Sequence, residues 1–534
     1  MIGVISKPEE REVVEEFFEL FKTPWEFYGP GRDYDVVIAA GEDVPSVNSS
    51  LLVVFGTDSC RLDRYELAEA GMQGLPVYIE RGTVSLPIYG KAVRFSNPDQ
   101  PILFCSSSRQ TIGYETRGEG QRILRIGYDL FKEVSYLLSE GQPPENASIP
   151  TLDLHVEQLR NWIVETGLPL VEIPPVPEGY RFTACLTHDI DFVGIRRHFL
   201  DHSMWGFLYR ATVGSLLGVV HGKISLSKLG ENLKAALSLP LVFLGVSRDP
   251  WCQFDRCLEI EGGVPSTFFF IPFKNRAGEG FGKKRAKRRA TRYDIGDVGD
   301  IIQKLVGHGC EIGVHGIDAW HSVEDGREEL RRIREKLTSY DGLGIRTHWL
   351  SRNEHTFETL DKAGYSYDSS FGYNETVGFK AGTAQAFKPI GTKTLLEIPL
   401  QIQDTALFGR GRLNISETCA EELCHNIIDH VCLYGGVLTV LWHQRSLGPE
   451  RQWGDFYERL LKTLRKRGAW IATADEVAYW FRMRRLASFE GGGADAGEVL
   501  VNLDVDRKKA IPQLVMRSYK QKNCRVFESH TINI

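Results

Sequence analysis

From residue 180 onward, short apolar runs alternate with stretches of helical periodicity. The first run, Arg181-Phe182-Thr183-Ala184-Cys185-Leu186-Thr187-His188-Asp189-Ile190-Asp191-Phe192, is β-rich and ends abruptly in two carboxylates one residue apart. Strand patterns follow at Ser266–Ile271, Cys310–His315, Gly344–Trp349, Leu395–Pro399 and Val437–His443. Helical patterns lie between and after them at Gly326–Leu337, Thr356–Ala363, Ser416–Leu433 and Asp455–Arg467. The last helix opens on Thr473-Ala474-Asp475-Glu476, a capping box, and is expected to run to Arg485. Alternation of this kind predicts an α/β fold, a (β/α) barrel that is complete or distorted, over residues 178–485. A helix-patterned insertion interrupts it at about 194–250.

The flanks read differently. Residues 1–150 predict a small α/β domain of no readable role: buried strands at Val36–Ala40 and Leu51–Gly56, helices around Leu62–Met72 and Gln121–Leu138, and short strands near Val77 and Leu103. Residues 151–177 read as a connecting helix, Leu152–Thr166, and a proline-rich linker, Pro174-Pro175-Val176-Pro177. Residues 486–534 read as a short β-rich tail behind the flexible joint Gly491–Gly497.

Composition narrows the function classes. The chain has 534 residues and a net charge of −6, which argues against a dedicated nucleic-acid binder. The basic run Lys283-Lys284-Arg285-Ala286-Lys287-Arg288-Arg289 reads as a solvated loop able to attract an anionic glycan or a membrane surface. No apolar run reaches the ~18 residues of a membrane span. The nearest, Met204–Val220, is interrupted by Arg210 and reads as a buried or interfacial helix. The first residues lack the basic and apolar regions of an export signal, and the ten cysteines contain no CxxC pair, so a cytoplasmic protein with reduced thiols is expected.

The chemistry is concentrated at strand ends, which in such a barrel converge on one mouth. Residues at i and i+2 of a strand share a face, so Asp189 and Asp191 point one way and His188 and Ile190 the other. The third run ends at His315, with His321 six residues on; the next supplies Arg346 and His348, and the last ends at His443. One carboxylate and two imidazoles suit a divalent metal with an open position, and a hydrolytic site also needs a base and an acid.

Taken in order, these motifs resemble the polysaccharide deacetylases, the NodB-homology or carbohydrate esterase family 4 hydrolases, over roughly residues 180–485. Thr187–Asp191 stands at the paired-aspartate motif, Glu311–His315 at the histidine motif, Gly344–Trp349 at the arginine motif and Leu441–His443 at the final histidine motif. Ala363-Gly364-Tyr365-Ser366-Tyr367-Asp368-Ser369-Ser370 fits the segment after the arginine motif. The resemblance implies a distorted (β/α)₇-type barrel and a metal-dependent N-deacetylase of N-acetylated sugars. It implies Asp189 as base, Asp191 and His315 as ligands of a divalent ion (zinc is expected), Arg346 as the residue tuning the base, and His443 as acid. Asp368 or Asp404 would orient His443.

Two departures stand out. The aspartates are separated by one residue rather than adjacent, which keeps them on one face. His315 and His321 are six apart, about 240° on a helix, so His321 joins His315 only across a loop. His348, sharing a strand face with Arg346, is the alternative third ligand. Trp349, Phe371 and Tyr373, with Trp320, are candidates for an aromatic sugar wall or for core. The expected activity is removal of an N-acyl group, acetyl before others, from an amino sugar of a glycan or glycan precursor, the carbohydrate being the expected partner. The alternatives are a non-catalytic glycan-binding or assembly protein on the same barrel, or a hydrolase of another C–N bond, a deformylase or one opening a cyclic amide.

Overall fold

The computed structural model describes the chain except for residues 42–43, 71–76, 82–83, 119, 223, 281–285, 287, 338–341, 491–499, 503–509, 521–525 and 533–534. The Gly491–Gly497 joint and most of the basic run therefore lie outside the described residues.

The barrel is built from nine strand segments: β1 (Phe182–Ile190), β2 (Thr267–Phe270), β3 (Glu311–Gly316), β4 (Ile345–Thr347), β5 (Tyr367–Asp368), β6 (Leu396–Glu397), β7 (Leu400–Gln403), β8 (Val437–Leu441) and β9 (Ala469–Ala472). Every pairing is parallel, in the order β6-β5-β4-β3-β2-β1-β8-β7. The two ends of that order, β6 and β7, are pieces of one chain segment broken at Ile398-Pro399, so the sheet curls back on itself. Proline lacks the donor a continuous ladder needs, and a register shift inside Leu400–Ile402 completes the break. The ninth strand, β9, pairs only with the beginning of β1, at Phe182–Cys185, while the end of β1 pairs with β2. The fold is a distorted, parallel (β/α) barrel. Its strands are buried on both faces: all nine residues of β1 are buried, as are all of β2 and β8.

Helix starts follow their caps. Ser322 caps Val323–Arg334, so that helix begins before the expected Gly326; Ser416 caps Glu417–Tyr434, and the Thr473/Glu476 capping box opens Ala474–Leu486. The insertion holds the helices His202–Tyr209, Ser215–Val220 and Leu226–Phe243.

In the N-terminal part, five strands run parallel in the order Trp25–Phe27, Ile2–Ile5, Val36–Ala40, Leu51–Phe55 and Gln121–Ile126, and antiparallel strands extend the sheet from Thr111–Gly118 onward. Two expected helices are corrected. Within Leu62–Met72, the segment Leu67–Glu69 is a strand paired with Val93–Phe95. Of Gln121–Leu138, only Leu130–Ser139 is helical, because Gln121–Ile126 takes the ladder beside Leu51–Phe55 and Asp129 caps the helix from Phe131 N and Lys132 N. The tail strands Leu514–Tyr519 and Val526–Ile532 form an antiparallel pair to which Leu170–Glu172 adds a third strand.

One apolar cluster runs from the N-terminal sheet into the barrel. Polar contacts reinforce it: the buried Arg484 donates to Glu19 O and Leu20 O at 2.9 and 3.0 Å, and Arg485 pairs with Glu16 at 2.6 Å. No helix among the described residues is long and apolar enough to cross a membrane.

Candidate metal centre and catalytic cleft

The C-terminal ends of β1, β3 and β4 meet at one point. Asp191 lies one residue beyond β1, His315 is near the end of β3, and His348 follows β4 in a single 3₁₀ turn. Their ligand atoms lie within 4.8 Å of one another, the one such triplet among the described residues. Nε2 of His315 is 3.3 Å and Nε2 of His348 3.1 Å from Asp191 Oδ1. Ligands tetrahedrally placed at ~2.0–2.1 Å from a zinc ion sit about 3.3–3.4 Å apart, so these separations match a tetrahedral edge. The buried Asp191 Oδ1 has no hydrogen-bond partner, a state that a bound cation would relieve. The residues thus fit a divalent ion.

Electrostatics agree. Burial works against the charge on Asp191, but the facing imidazoles of His315 and His348 outweigh it and hold the carboxyl well below the ordinary range. Burial holds His348 down at about 4, against the pull of Asp191, so its ring is neutral and able to ligate near pH 7. His315 Nδ1 lies 2.9 Å from Arg346 O; donation to that carbonyl fixes the tautomer that leaves Nε2 open toward Asp191.

His321 is not brought to this point. After β3 the chain turns under the buried Glu329, whose carboxylate accepts from Ile317 N and Asp318 N. The Asp318 carboxylate then faces His321 Nε2 at 3.2 Å and Arg276 Nε at 3.3 Å. The fixed Asp318 thus takes the ring that the six-residue spacing offered as a ligand.

Beside the triplet, Asp189 is held by Arg346, whose three nitrogens are each engaged: Nη1 to Thr187 Oγ1 (2.6 Å) and Asp189 Oδ1 (3.2 Å), Nε to Ser369 O and Nη2 to Ser369 Oγ, both 2.7 Å. Its guanidinium also lies 4.8 Å over the Phe269 ring. On the other side, His443 presents Nδ1 to Asp404 Oδ1 at 2.7 Å, and its backbone N–H donates to Asp404 Oδ2 at 2.9 Å. His443 Nε2 faces Asp191 Oδ2 at 3.6 Å. Burial lowers His443, but Asp404, Asp191 and Asp189 together outweigh it and push it up to about 9. Of the two carboxylates proposed to orient this ring, Asp404 meets it. Asp368 instead accepts from Ser370 Oγ at 2.5 Å and meets Glu397, whose carboxyl is raised well above the usual range by burial and by Asp368.

These groups line a cleft of about 610 Å³. Trp349 is on its wall, in a left-handed conformation (φ 65°) that Leu350 repeats (φ 52°). Such backbone is uncommon for bulky residues. The three other aromatic candidates do not line this cleft; they take the alternative, packing role. Phe371 is buried against Phe357 and Phe387 under Arg352, and the buried Tyr373 donates its hydroxyl to Gln142 O at 2.8 Å, joining the barrel to the N-terminal part. Trp320 packs on His321.

The basic run holds what sequence reading missed. Arg288 is exposed on the cleft wall, facing the same space as Arg412, Asn374 and Gln403. Arg289 is buried and bridges the loops after β3 and β4, donating Nη2 to Ile317 O (2.8 Å) and His348 O (3.1 Å) and Nη1 to Ala277 O (2.7 Å). A Cβ at Gly278 (φ 81°) would lie 2.2 Å from that Nη1, so both the backbone and the space require glycine there. Just beyond, Thr291 Oγ1 donates to Asp191 O at 3.0 Å and Tyr293 OH to Ile190 O at 2.5 Å. Nothing in a run of lysines and arginines marks its last member as buried; the apolar Tyr293 downstream was the one available cue.

No family model matches the sequence, and no curated protein matches it. Among solved structures, it is similar to a Mycobacterium smegmatis protein described as a polysaccharide deacetylase, at 18% identity and a TM-score of 0.35, with 58% of this chain and 94% of that chain covered. A Pseudomonas aeruginosa PAO1 protein of the same description is 14% identical, at a TM-score of 0.34, with 57% and 92% covered. An allantoinase is also among the similar structures, at 16% identity and a TM-score of 0.33, with 57% and 92% covered.

Proposed function

We propose that the protein is a metal-dependent hydrolase that removes an N-acyl group, acetyl before others, from an amino sugar of a glycan or glycan precursor. The observation that carries this reading is the juxtaposition of the Asp191/His315/His348 triplet with a separately held base, Asp189, and a separately held acid, His443. A divalent ion in the triplet, zinc by the donor set, would supply Lewis acidity toward a carbonyl and acidify a water.

The chain's own residues do the rest. Asp189, fixed by Arg346, accepts the proton of the attacking water. His443, charged near neutrality and aimed by Asp404, delivers a proton to the departing nitrogen as the C–N bond breaks. Products are a free amine and a carboxylate. Trp349 offers a ring face for a sugar at the lip of the cleft.

The test is acetate release from N-acetylated amino-sugar oligomers and precursors by the purified chain with zinc and with chelator. Zinc-dependent release that disappears in Asp189→Asn supports the reading. Formate release or ring opening of a cyclic amide would move the activity to another C–N bond. Absence of any bound ion and of any release would leave a non-catalytic glycan binder.

A further inference from the structure

Thirteen of the nineteen exposed large apolar side chains among the described residues lie between residues 199 and 246, in the helical insertion. The inner face of its first helix and of the π-helical turn that follows, Arg210–Gly214, is conventional: Met204, Phe207 and Ala211 are buried at helical spacing. The outer face is apolar as well. Val220 and Leu237 are each 80% exposed, and Leu244 and Val246 each 76%. An apolar patch of this extent belongs inside a protein or against lipid, and no described residue covers these side chains.

Three further observations identify the occupant. Over residues 194–250 the chain carries seven lysines and arginines against three acidic residues, although the whole chain is net −6. A symmetric contact between two copies would set this basic surface against itself, whereas anionic lipid headgroups complement it. Trp205 and Tyr209, both more than half exposed, are the amphipathic rings that favour a headgroup boundary. Lastly, no described helix can span a bilayer, so the fitting arrangement is in-plane, apolar face down.

We infer that the insertion is a docking surface for an anionic lipid bilayer. It leaves the barrel three residues after Asp191, at the mouth that holds the cleft, and it is tied to the segment behind His443. Arg210 pairs with Glu450 at 2.8 Å, Glu450 N donates to Asn232 Oδ1 at 2.8 Å, and Arg445 Nη2 meets Glu450 at 2.7 Å. Docking therefore brings the cleft end of the barrel toward the membrane. The inference is independent of the proposed reaction, because binding is read without turnover.

The experiment is co-sedimentation of the full chain with vesicles of phosphatidylcholine alone and of phosphatidylcholine mixed with phosphatidylglycerol. The wild type is expected to pellet with the mixed vesicles. The triple variant Leu237→Glu, Leu244→Glu, Val246→Glu, its far-UV spectrum and Tm unchanged, should lose about 10-fold or more in partitioning. Lys234→Glu with Arg248→Glu, both exposed, should lower binding to the mixed vesicles toward that on phosphatidylcholine alone, and it serves if the triple variant does not fold. A wild type left in the supernatant, or a folded variant that pellets undiminished, overturns the inference. So does a lipid-free dimer that the triple substitution dissolves while vesicle binding is absent, which would assign the surface to a second copy.

Discussion

His188, inside β1, and His443, just past its neighbour β8, each direct one ring nitrogen at a buried carboxylate. Nε2 of His188 lies 2.6 Å from Glu261 Oε1, and Nδ1 of His443 lies 2.7 Å from Asp404 Oδ1. The difference is in the second nitrogen. In His188 it is taken by Trp442 O at 2.6 Å, and Tyr457 OH and Ser266 Oγ fill out Glu261, so the ring is sealed against Phe268. In His443 it opens on the cleft beside Asp191. The same donor–acceptor pair is structural where both ring nitrogens are spent inside the fold, and available for proton transfer where one is left facing substrate space. Strand alternation does the sorting: Asp189 faces the cleft, and His188, one residue earlier, faces the helices behind the sheet.

This contrast can be broken at several points. Asp191→Asn removes the carboxylate that both metal-facing histidines share; acyl release should fall more than about 10³-fold while the far-UV spectrum is kept. His443→Gln should cost kcat about 10²–10⁴-fold with bound metal retained, read by kinetics and elemental analysis side by side. His188→Ala acts the other way. It leaves Glu261 and Trp442 O each short of a partner, so chemical denaturation should show a loss of about 1–3 kcal/mol, with the kcat of the folded protein unchanged. A matching loss of kcat would erase the distinction between the two histidines.

The pH profile sharpens the same point more gently. In the proposed reaction His443 acts in its charged form, which the carboxylates around it extend up to about 9. Because that value lies above the ordinary 6.5 of histidine, the stabilisation from the pair is full below about 6.5 and fades as pH rises through about 9. The alkaline limb of kcat is expected to fall in the same window. Asp404→Asn withdraws the largest charge supporting the ring, so that limb should move to lower pH; a limb that stays in place would assign it to another group.

Much of this arrangement was legible in the sequence because barrel strands are apolar on both faces and their polar ends stand out. Thr267–Phe270 and Val437–Leu441 announce themselves as runs, and Asp189, Asp191, His315, Arg346 and His443 stand at or just past strand ends. What escaped is short or interrupted. Tyr367–Asp368 is two residues, and of the strand split at Pro399 only the first piece, Leu396–Glu397, falls in an expected run, while Leu400–Gln403 is too short to offer a period to read. Gln121–Leu138 carries an apolar pattern compatible with a helix until Asp129, where the cap marks the true start. The position of His321 depended on Asp318 and Glu329, a turn held by carboxylates that no spacing rule describes. Arg289 was hidden inside a run of like charges, although it braces the loops that carry Ile317 and His348.

The central claim is that Asp191, His315 and His348 hold one metal ion and that His321 does not take part. Metal content by elemental analysis, on wild type, His348→Ala and His321→Ala purified identically, tests it most directly. One equivalent of a divalent ion is expected in the wild type and in His321→Ala, and loss of that ion in His348→Ala. An ion retained by His348→Ala and lost from His321→Ala would contradict it.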